Sequence, residues 1–212
     1  MRVVVTRPLA QAASLAEALE RAGHEVVVCP LIDVEPVDDE AIDLAPYDWL
    51  IVTSANGARE LARRGRGRPR RIAAIGRATA AALGEAGFAV DFVPTISTQE
   101  GLVAELPPAE GRVLVAAAED ARRLLVDELG AEFVALYRTR ALRPPEPPAG
   151  DVVMLASGSA ARAFAALGVP LPAVSIGPET TRVAEAAGLT VVAEARTQDV
   201  EGLVGAVDRV RA

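Results

Sequence analysis

Hydroxyl-bearing residues recur at one kind of place in this chain: where an apolar run stops. "DWLIVTSANGA", from Asp48, closes on Thr53, Ser54, Ala55, Asn56 and Gly57. "DVVMLASGSAA", from Asp151, closes on Ser157, Gly158 and Ser159. Thr6 and Arg7 follow the run "RVVV", and Gly76 with Thr79, Ser97 with Thr98, Gly177 with Thr180, and Thr197 stand at similar endings. Ser, Thr and Asn are ordinary helix N-caps, and capping alone explains any one of them. Together they gather unpaired backbone N–H groups and the positive ends of helix dipoles. That is chemistry for anions, and it needs no high density of Lys. The point matters in a chain of 212 residues with a formal net charge of −7.

Other chemistry is excluded by what is missing. No Gly-rich loop ends in Lys-Ser or Lys-Thr, and no G-x-G-x-x-G occurs. His24 is the one histidine and stands just after the helix-ending Gly23, which argues against a His-based triad or a His-rich metal site. His24 reads as a surface residue. Cys29 reads as a small core residue that has no partner for an internal disulfide. The acidic pairs Asp38-Asp39 and Glu119-Asp120 read as solvated or capping groups. No apolar run nears the ~20 residues of a membrane helix, and no leader pattern opens the chain. These features lead us to expect a cytoplasmic protein with no membrane partner. The acidic balance argues against nucleic acid. The exception is "RRGRGRPRR", residues 63–71, which reads as a solvated loop or as an RNA- or anion-binding patch.

The elements that must position these residues alternate. Strands are predicted at Arg2 onward, Glu25 onward, 49–53, 71–75, 88–93, 112–116, 132–136, 151–155, 173–176 and 189–193. Helices fall between them: "PLAQAASLAEALERAG" from Pro8, then 55–64, 78–86, 99–106, 120–129, 159–167, 179–187 and 199–210. The strands are continuous apolar runs, as burial on both faces of a parallel sheet requires. In such sheets ligands bind beyond the carboxyl ends of the strands, which is where every hydroxyl-rich turn falls.

The chain also repeats itself. Ser54 matches Ser157 at an offset of 103 residues; "IGRATAAALGEAG" from Ile75 matches "IGPETTRVAEAAG" from Ile176 at 101; Gly101-Leu102 matches Gly202-Leu203 at 101. "RVVVT" from Arg2 matches "RVLVA" from Arg112 more loosely. The order is A–B–A′–B′, giving five strands to each of two similar, flavodoxin-like domains. A tandem arrangement breaks near "LPPAEG". An interleaved one crosses twice, with "LIDVEPV" from Leu31 and "LYRTRAL" from Leu136 pairing antiparallel. The pattern leaves both open.

The motifs "TRP…A…L…G", "D-x-L-I-V-T-S-A-N-G", "I-G-x-A-T-A-x-A-L-x-x-x-G", "T-x-E-G-L", "L-x-x-x-L…Y-x-T" and "I-G-P-x-T…A-x-x-x-G", in this order and covering nearly the whole chain, resemble uroporphyrinogen-III synthase. The resemblance implies the interleaved arrangement: an α/β fold of two flavodoxin-like domains with parallel five-stranded sheets, residues 1–33 plus 144–212 and residues 38–135. The linker would be a two-stranded antiparallel pair at 34–37 and 136–143, with an active site in the cleft. It implies a lyase that closes linear hydroxymethylbilane with loss of water and inverts ring D through a spiro intermediate. The substrate is a small molecule with eight carboxylates, the enzyme a monomer needing no cofactor, and hydroxymethylbilane synthase the protein that hands the substrate over.

By positional match, Tyr137 in "LYRT" is implied to assist loss of water, although a phenol with a pKa near 10 is a poor acid. Thr6, Arg7, Thr53, Ser54, Ala55, Asn56, Gly57, Gly76, Thr79, Thr98, Arg122, Ser157, Gly158, Ser159, Gly177 and Thr180 are expected to line the substrate site. One departure is Ala118, where the family often has Gly. The alternative reading is a non-catalytic two-domain protein that binds a tetrapyrrole or a small anion. A flavodoxin-type or sugar-nucleotide enzyme is weaker still, since aromatic content is 3%.

Overall fold

A computed structural model describes residues 1–211 of the chain. In chain order the elements are β1 (Arg2–Val5), α1 (Leu9–Arg21), β2 (Glu25–Val28), β3 (Ile32–Pro36), β4 (Ile42–Asp43), β5 (Tyr47–Val52), α2 (Ala55–Arg64), β6 (Gly65–Arg66) and β7 (Arg71–Ala74). They continue with α3 (Arg77–Glu85), α4 (Gln99–Glu105), β8 (Arg112–Ala118), α5 (Leu124–Leu129), β9 (Glu132–Ala141), β10 (Val152–Leu155), α6 (Gly158–Ala165), β11 (Ala173–Ser175), α7 (Pro178–Ala186), β12 (Val191–Glu194) and α8 (Val200–Arg211). They form two compact units. One holds Met1–Asp33 with the chain from Thr139 onward; the other is Val34–Arg138.

The first unit has a sheet in the order β12-β11-β10-β1-β2, with every neighbouring pair parallel. Val3 pairs with Val152 and Val4 with Val153. Read from the β2 edge and numbered along the unit, the order is 2-1-3-4-5, a doubly wound arrangement. Its strands are apolar without alternation because both faces are covered. Val3 and Val5 pack with Leu15 and Leu19 of α1 and Leu203 and Val207 of α8. Val4, one residue out of phase, packs with Ala161 and Phe164 of α6 and Ala184 of α7. Each such Leu, Val or Phe contributes about 1.5–3 kcal/mol by leaving water.

The second unit repeats that logic. Leu50 and Val52 of β5 pack with Leu61 of α2 and Leu83 of α3. Trp49 and Ile51 face the other way, toward Leu102 of α4 and Leu125 of α5. The sheet order is β3-β9-β8-β5-β7, and Phe92 makes an isolated parallel bridge to Ala73 of β7. Counting from β8, the strands β9-β8-β5-β7 and Phe92 again read 2-1-3-4-5. The two units share one wiring begun at different points of the chain, which is why the sequence repeats as A–B–A′–B′.

Several expectations are corrected. Residues 88–93 form no regular strand. The Asp91 carboxylate accepts the Ile72 N–H at 2.7 Å, taking the amide that the next ladder rung would use. Only Leu124–Leu129 of the expected helix 120–129 is helical; before it, the Ala121 N–H donates to the Ala118 carbonyl in a tight turn. The strands expected at 132–136 and 136–142 are one continuous β9. The short parallel pair β4 and β6 was not foreseen. His24 is buried, and its Nε2 lies 2.9 Å from Asp208 of α8.

Only 67–70 of the Arg-rich run is loop, and it is largely exposed; 63–64 close α2, Gly65–Arg66 is β6, and Arg71 opens β7. Arg63 pairs with Asp39 and Glu60. Arg64, only 3% exposed, holds the Glu40 carbonyl at 2.8 Å and Asp38 at 2.5 Å. Arg68 caps the Gly87 carbonyl. Arg70 and Arg71 pair with Asp48. These arginines fasten loops at the amino end of the second sheet.

Candidate functional site

At the carboxyl end of β5 the chain turns directly into α2. Ser54 is extended (φ −163°, ψ 155°) and its Oγ accepts the Gly57 N–H at 2.9 Å. This satisfies one of the first-turn amides that the helix itself cannot pair. Asn56 Oδ1 accepts from Arg59 at 3.0 Å. Gly57 is tight: a Cβ there would meet Ser54 Oγ at 3.2 Å. Thr98 repeats the device before α4, its Oγ1 accepting the Gly101 N–H at 3.0 Å. Gly76 caps α3 without a side-chain bond, and a Cβ on it would lie 2.7 Å from Ser97 Oγ.

The first unit carries the same parts. Ser157 Oγ accepts the Ala160 N–H at 3.1 Å. Asp199 accepts the Gly202 N–H at 2.7 Å, which makes it the counterpart of Thr98. A Cβ on Gly177 would lie 2.9 Å from the Gln198 amide, as one on Gly76 would meet Ser97. Gly158 sits against Val183, and Ser159 accepts from Arg162 at 3.4 Å.

Not every expected hydroxyl is presented. Thr6 is fully buried and its Oγ1 donates to the Met154 carbonyl at 2.9 Å, so it fastens β1 to β10. Thr79 and Thr180 are 4% and 6% exposed. Thr53 and Arg7 are half-buried. Arg122 forms a two-pronged pair with Glu100 at 2.7 and 3.3 Å.

Tyr137 reaches the site by a device that residue types do not announce. Ala117 of β8 pairs with Ala135 of β9, but Ala118 pairs with Tyr137, so β9 accommodates an extra residue. Leu136 and Tyr137 then both pack on the Leu50–Val52 side of the sheet, whereas Phe133 follows ordinary alternation to the other side. A bulge of this kind re-aims a side chain. Here the phenol spans β8 to place its hydroxyl 2.9 Å from Ser54 Oγ, at the end of β5. Burial pushes the Tyr137 phenol above its ordinary pKa; the Ser54 bond draws it back, and the Asp120 carboxylate raises it again. The phenol is therefore neutral, a donor and acceptor of hydrogen bonds.

At the opposite end of this sheet Asp48 is 7% exposed, and its Oδ2 accepts from Arg71 at 2.7 Å and from the Glu110 N–H at 2.6 Å. Burial acts to raise its carboxyl, but the Glu110 amide and the Arg71 and Arg70 guanidiniums outweigh burial and hold it below the usual range. Its repeat partner Asp151 likewise accepts a backbone N–H, that of Arg2 at 2.7 Å. The repeated Asp is a clasp on the sheet and not part of the site. Among the described residues no group of three His, Cys, Asp or Glu could hold a metal ion, and no helix is long and apolar enough to cross a membrane.

Doubly wound parallel sheets with capped helix N-termini along their carboxyl edges define an α/β protein of the class whose ligand sites lie at those edges. A family model described as uroporphyrinogen-III synthase HemD matches residues 13–205. The chain belongs to the uroporphyrinogen-III synthase family. It is 32% identical over 127 residues to the uroporphyrinogen-III synthase of Synechococcus elongatus, covering 53% of this chain and 48% of that one. It is 29% identical over 240 residues to the porphyrin biosynthesis protein HemD of Ruminiclostridium josui, covering 93% of this chain and 46% of that one. The chain thus spans about half the length of these two relatives. The fold is similar to that of a mutant uroporphyrinogen III synthase from Thermus thermophilus, with a TM-score of 0.66, 16% identity, and coverage of 100% and 98% of the two chains.

Proposed function

We propose that this chain is a uroporphyrinogen-III synthase: it closes hydroxymethylbilane with loss of water and inverts ring D through a spiro intermediate. The observation that carries the reading is the Ser54–Tyr137 pair, a neutral phenol brought by a bulge to a capped helix N-terminus, in a chain of this family.

The chemistry suits those parts. Each unit, read as a flavodoxin-like domain, offers a rim of helix N-termini to which the substrate's carboxylates bind: Thr53 to Gly57, Gly76, Thr98 and Arg122 in one, Arg7, Ser157 to Ser159 and Gly177 in the other. Buried Thr6, Thr79 and Thr180 support these rims from beneath. Holding both ends of a linear tetrapyrrole in one geometry supplies most of the acceleration, since orientation alone contributes about 7–11 kcal/mol in well-aligned reactions. Tyr137 hydrogen-bonds the departing hydroxyl. β3 and β9 serve as the antiparallel link, as the bonds from the Val37 N–H to Leu136 and from the Leu142 N–H to Leu31 favour. The protein works as a monomer on substrate passed from the enzyme that makes it.

The test supplies hydroxymethylbilane, oxidises the products and separates the isomers. Type III as the dominant product is expected. Type I alone, formed at the spontaneous rate, would overturn the reading and leave a non-catalytic binding protein.

A further inference from the structure

A serine hydroxyl that caps a helix is needed only as an acceptor, yet Ser54 has a second partner. A hydroxyl carries one proton and two lone pairs. The Gly57 N–H takes one lone pair at 2.9 Å, and the remaining contact of that oxygen is with the Tyr137 hydroxyl, also at 2.9 Å. The matched cap in the other unit is different: among the described residues Ser157 Oγ makes the Ala160 bond at 3.1 Å and meets no phenol. The chain has two tyrosines, and the other, Tyr47, donates to Glu132 at the amino end of the sheet.

We propose that Ser54 is a positioning residue for Tyr137: held as acceptor by the Gly57 N–H, it donates its own proton to the phenol oxygen and turns the phenol proton toward the leaving hydroxyl of the substrate. The direction follows from polarisation. An oxygen that accepts an amide N–H at the positive end of a helix is a better donor through its own O–H, and successive bonds reinforce one another. The reverse direction would spend the phenol proton on Ser54 and leave none for the substrate.

This rests on the synthase reading above and sharpens it. As the C–O bond breaks, its electron pair leaves with oxygen, which takes the Tyr137 proton and departs as water. The phenolate charge is met by the Ser54 O–H, already aimed at it. The substrate cation then gives up its pyrrole N–H proton on becoming the azafulvene, and that proton returns to Tyr137. Atoms and charge balance with water as the sole product lost.

The charged group that bears on the phenol is Asp120, in the turn after β8. Beside it Glu119 pairs with Arg138 at 3.8 Å. On α2, Glu60 pairs with Arg63, and Arg59 holds Asn56.

The experiment reads the phenol without substrate. In a Tyr47→Phe background, Tyr137 is the single tyrosine. Biosynthetic replacement by fluorotyrosine lets its titration be followed by fluorine NMR. Ser54→Ala and Ser54→Gly, the second of which preserves a tolerated cap, should both raise the titration midpoint. With hydroxymethylbilane they should lower kcat by about tenfold, below the ~10²–10³ cost of removing a donor in direct contact with the reacting group, over and above any rise in KM from the altered substrate rim. Ser54→Thr should restore both. A midpoint unmoved or lowered in the Ala and Gly variants, or a loss confined to KM, would overturn the proposal. Failure of the synthase reading looks different: the parent protein itself makes no type III product.

Discussion

At the scale of single residues, the placement of Tyr137 and Ala118 is mutually dependent. Ala118 lies on the strand that the phenol crosses, and they are partners in register. Ala118→Leu therefore puts a branched side chain under the ring and displaces the hydroxyl from Ser54. Overpacking of this sort costs about 1–3 kcal/mol. We expect type III formation to fall as far as in Tyr137→Phe, about 10²-fold, the low end for a positioned proton donor. Retention of full activity by Ala118→Leu would show that the bond to Ser54 is dispensable. The sequence named Ser54, Ser157 and Thr98 as caps because capping is local: the hydroxyl and the amide it accepts are three residues apart. It could not show that Tyr137 meets Ser54, since that depends on a one-residue register shift between two strands. Nor could it show that Thr6 is sealed under Met154, or that Arg122 is shared with Glu100. Partners far apart in sequence decide those cases.

At the scale of elements, the repeated Gly-Leu of α4 and α8 has a steric origin. A Cβ on Gly101 would stand 2.2 Å from the Ile96 carbonyl oxygen, and one on Gly202 would stand 2.0 Å from that of Thr197. The chain doubles back so closely before each helix that hydrogen alone fits. The neighbouring Leu102 and Leu203 then fill the two cores. Gly101→Ala and Gly202→Ala should each destabilise by roughly 1–3 kcal/mol, read as a lower denaturant midpoint at unchanged slope. Gly84 is the control: it lies exposed inside α3, and a Cβ on it would meet nothing within 4 Å. Gly84→Ala should stabilise by up to about 1 kcal/mol. Equal effects at Gly84 and Gly101 would remove the steric account. The periodic apolar runs made most elements readable, because burial on both faces of a sheet writes itself into consecutive residues. The stretch 88–93 misled because it is apolar like a strand, while its Asp91 side chain takes the place of a backbone acceptor.

At the scale of the whole molecule, electrostatic stabilisation is uneven. Among the described residues, Asp48, Glu105 and Glu132 are carboxylates held below their ordinary range, and all belong to the unit Val34–Arg138. Burial opposes the shift at Asp48, where the Glu110 amide, Arg71 and Arg70 outweigh it. At Glu105 the Thr95 N–H and hydroxyl lower the carboxyl, and at Glu132 the Arg112 guanidinium and the Tyr47 hydroxyl do. A carboxylate whose folded pKa lies below its unfolded value stabilises fully above the unfolded value, near pH 4. That contribution is lost as pH falls through the lower, folded value. Glu105 and Glu132 are solvent-screened, so their share is small; buried Asp48, which ties the start of β5 to the turn before β8, carries more. Acidification below about pH 4 should thus weaken this unit first. Amide hydrogen exchange across the pH range is the measurement: protection should fall in β5, β7 and β8 while β1, β10 and β11 keep theirs. Asp48→Asn should flatten the acid limb for β5 and β8 and leave the other unit's exchange unchanged. Simultaneous loss in both sheets, or earlier loss in β1 and β10, would show that acid stability is set elsewhere than at Asp48 and its two arginines.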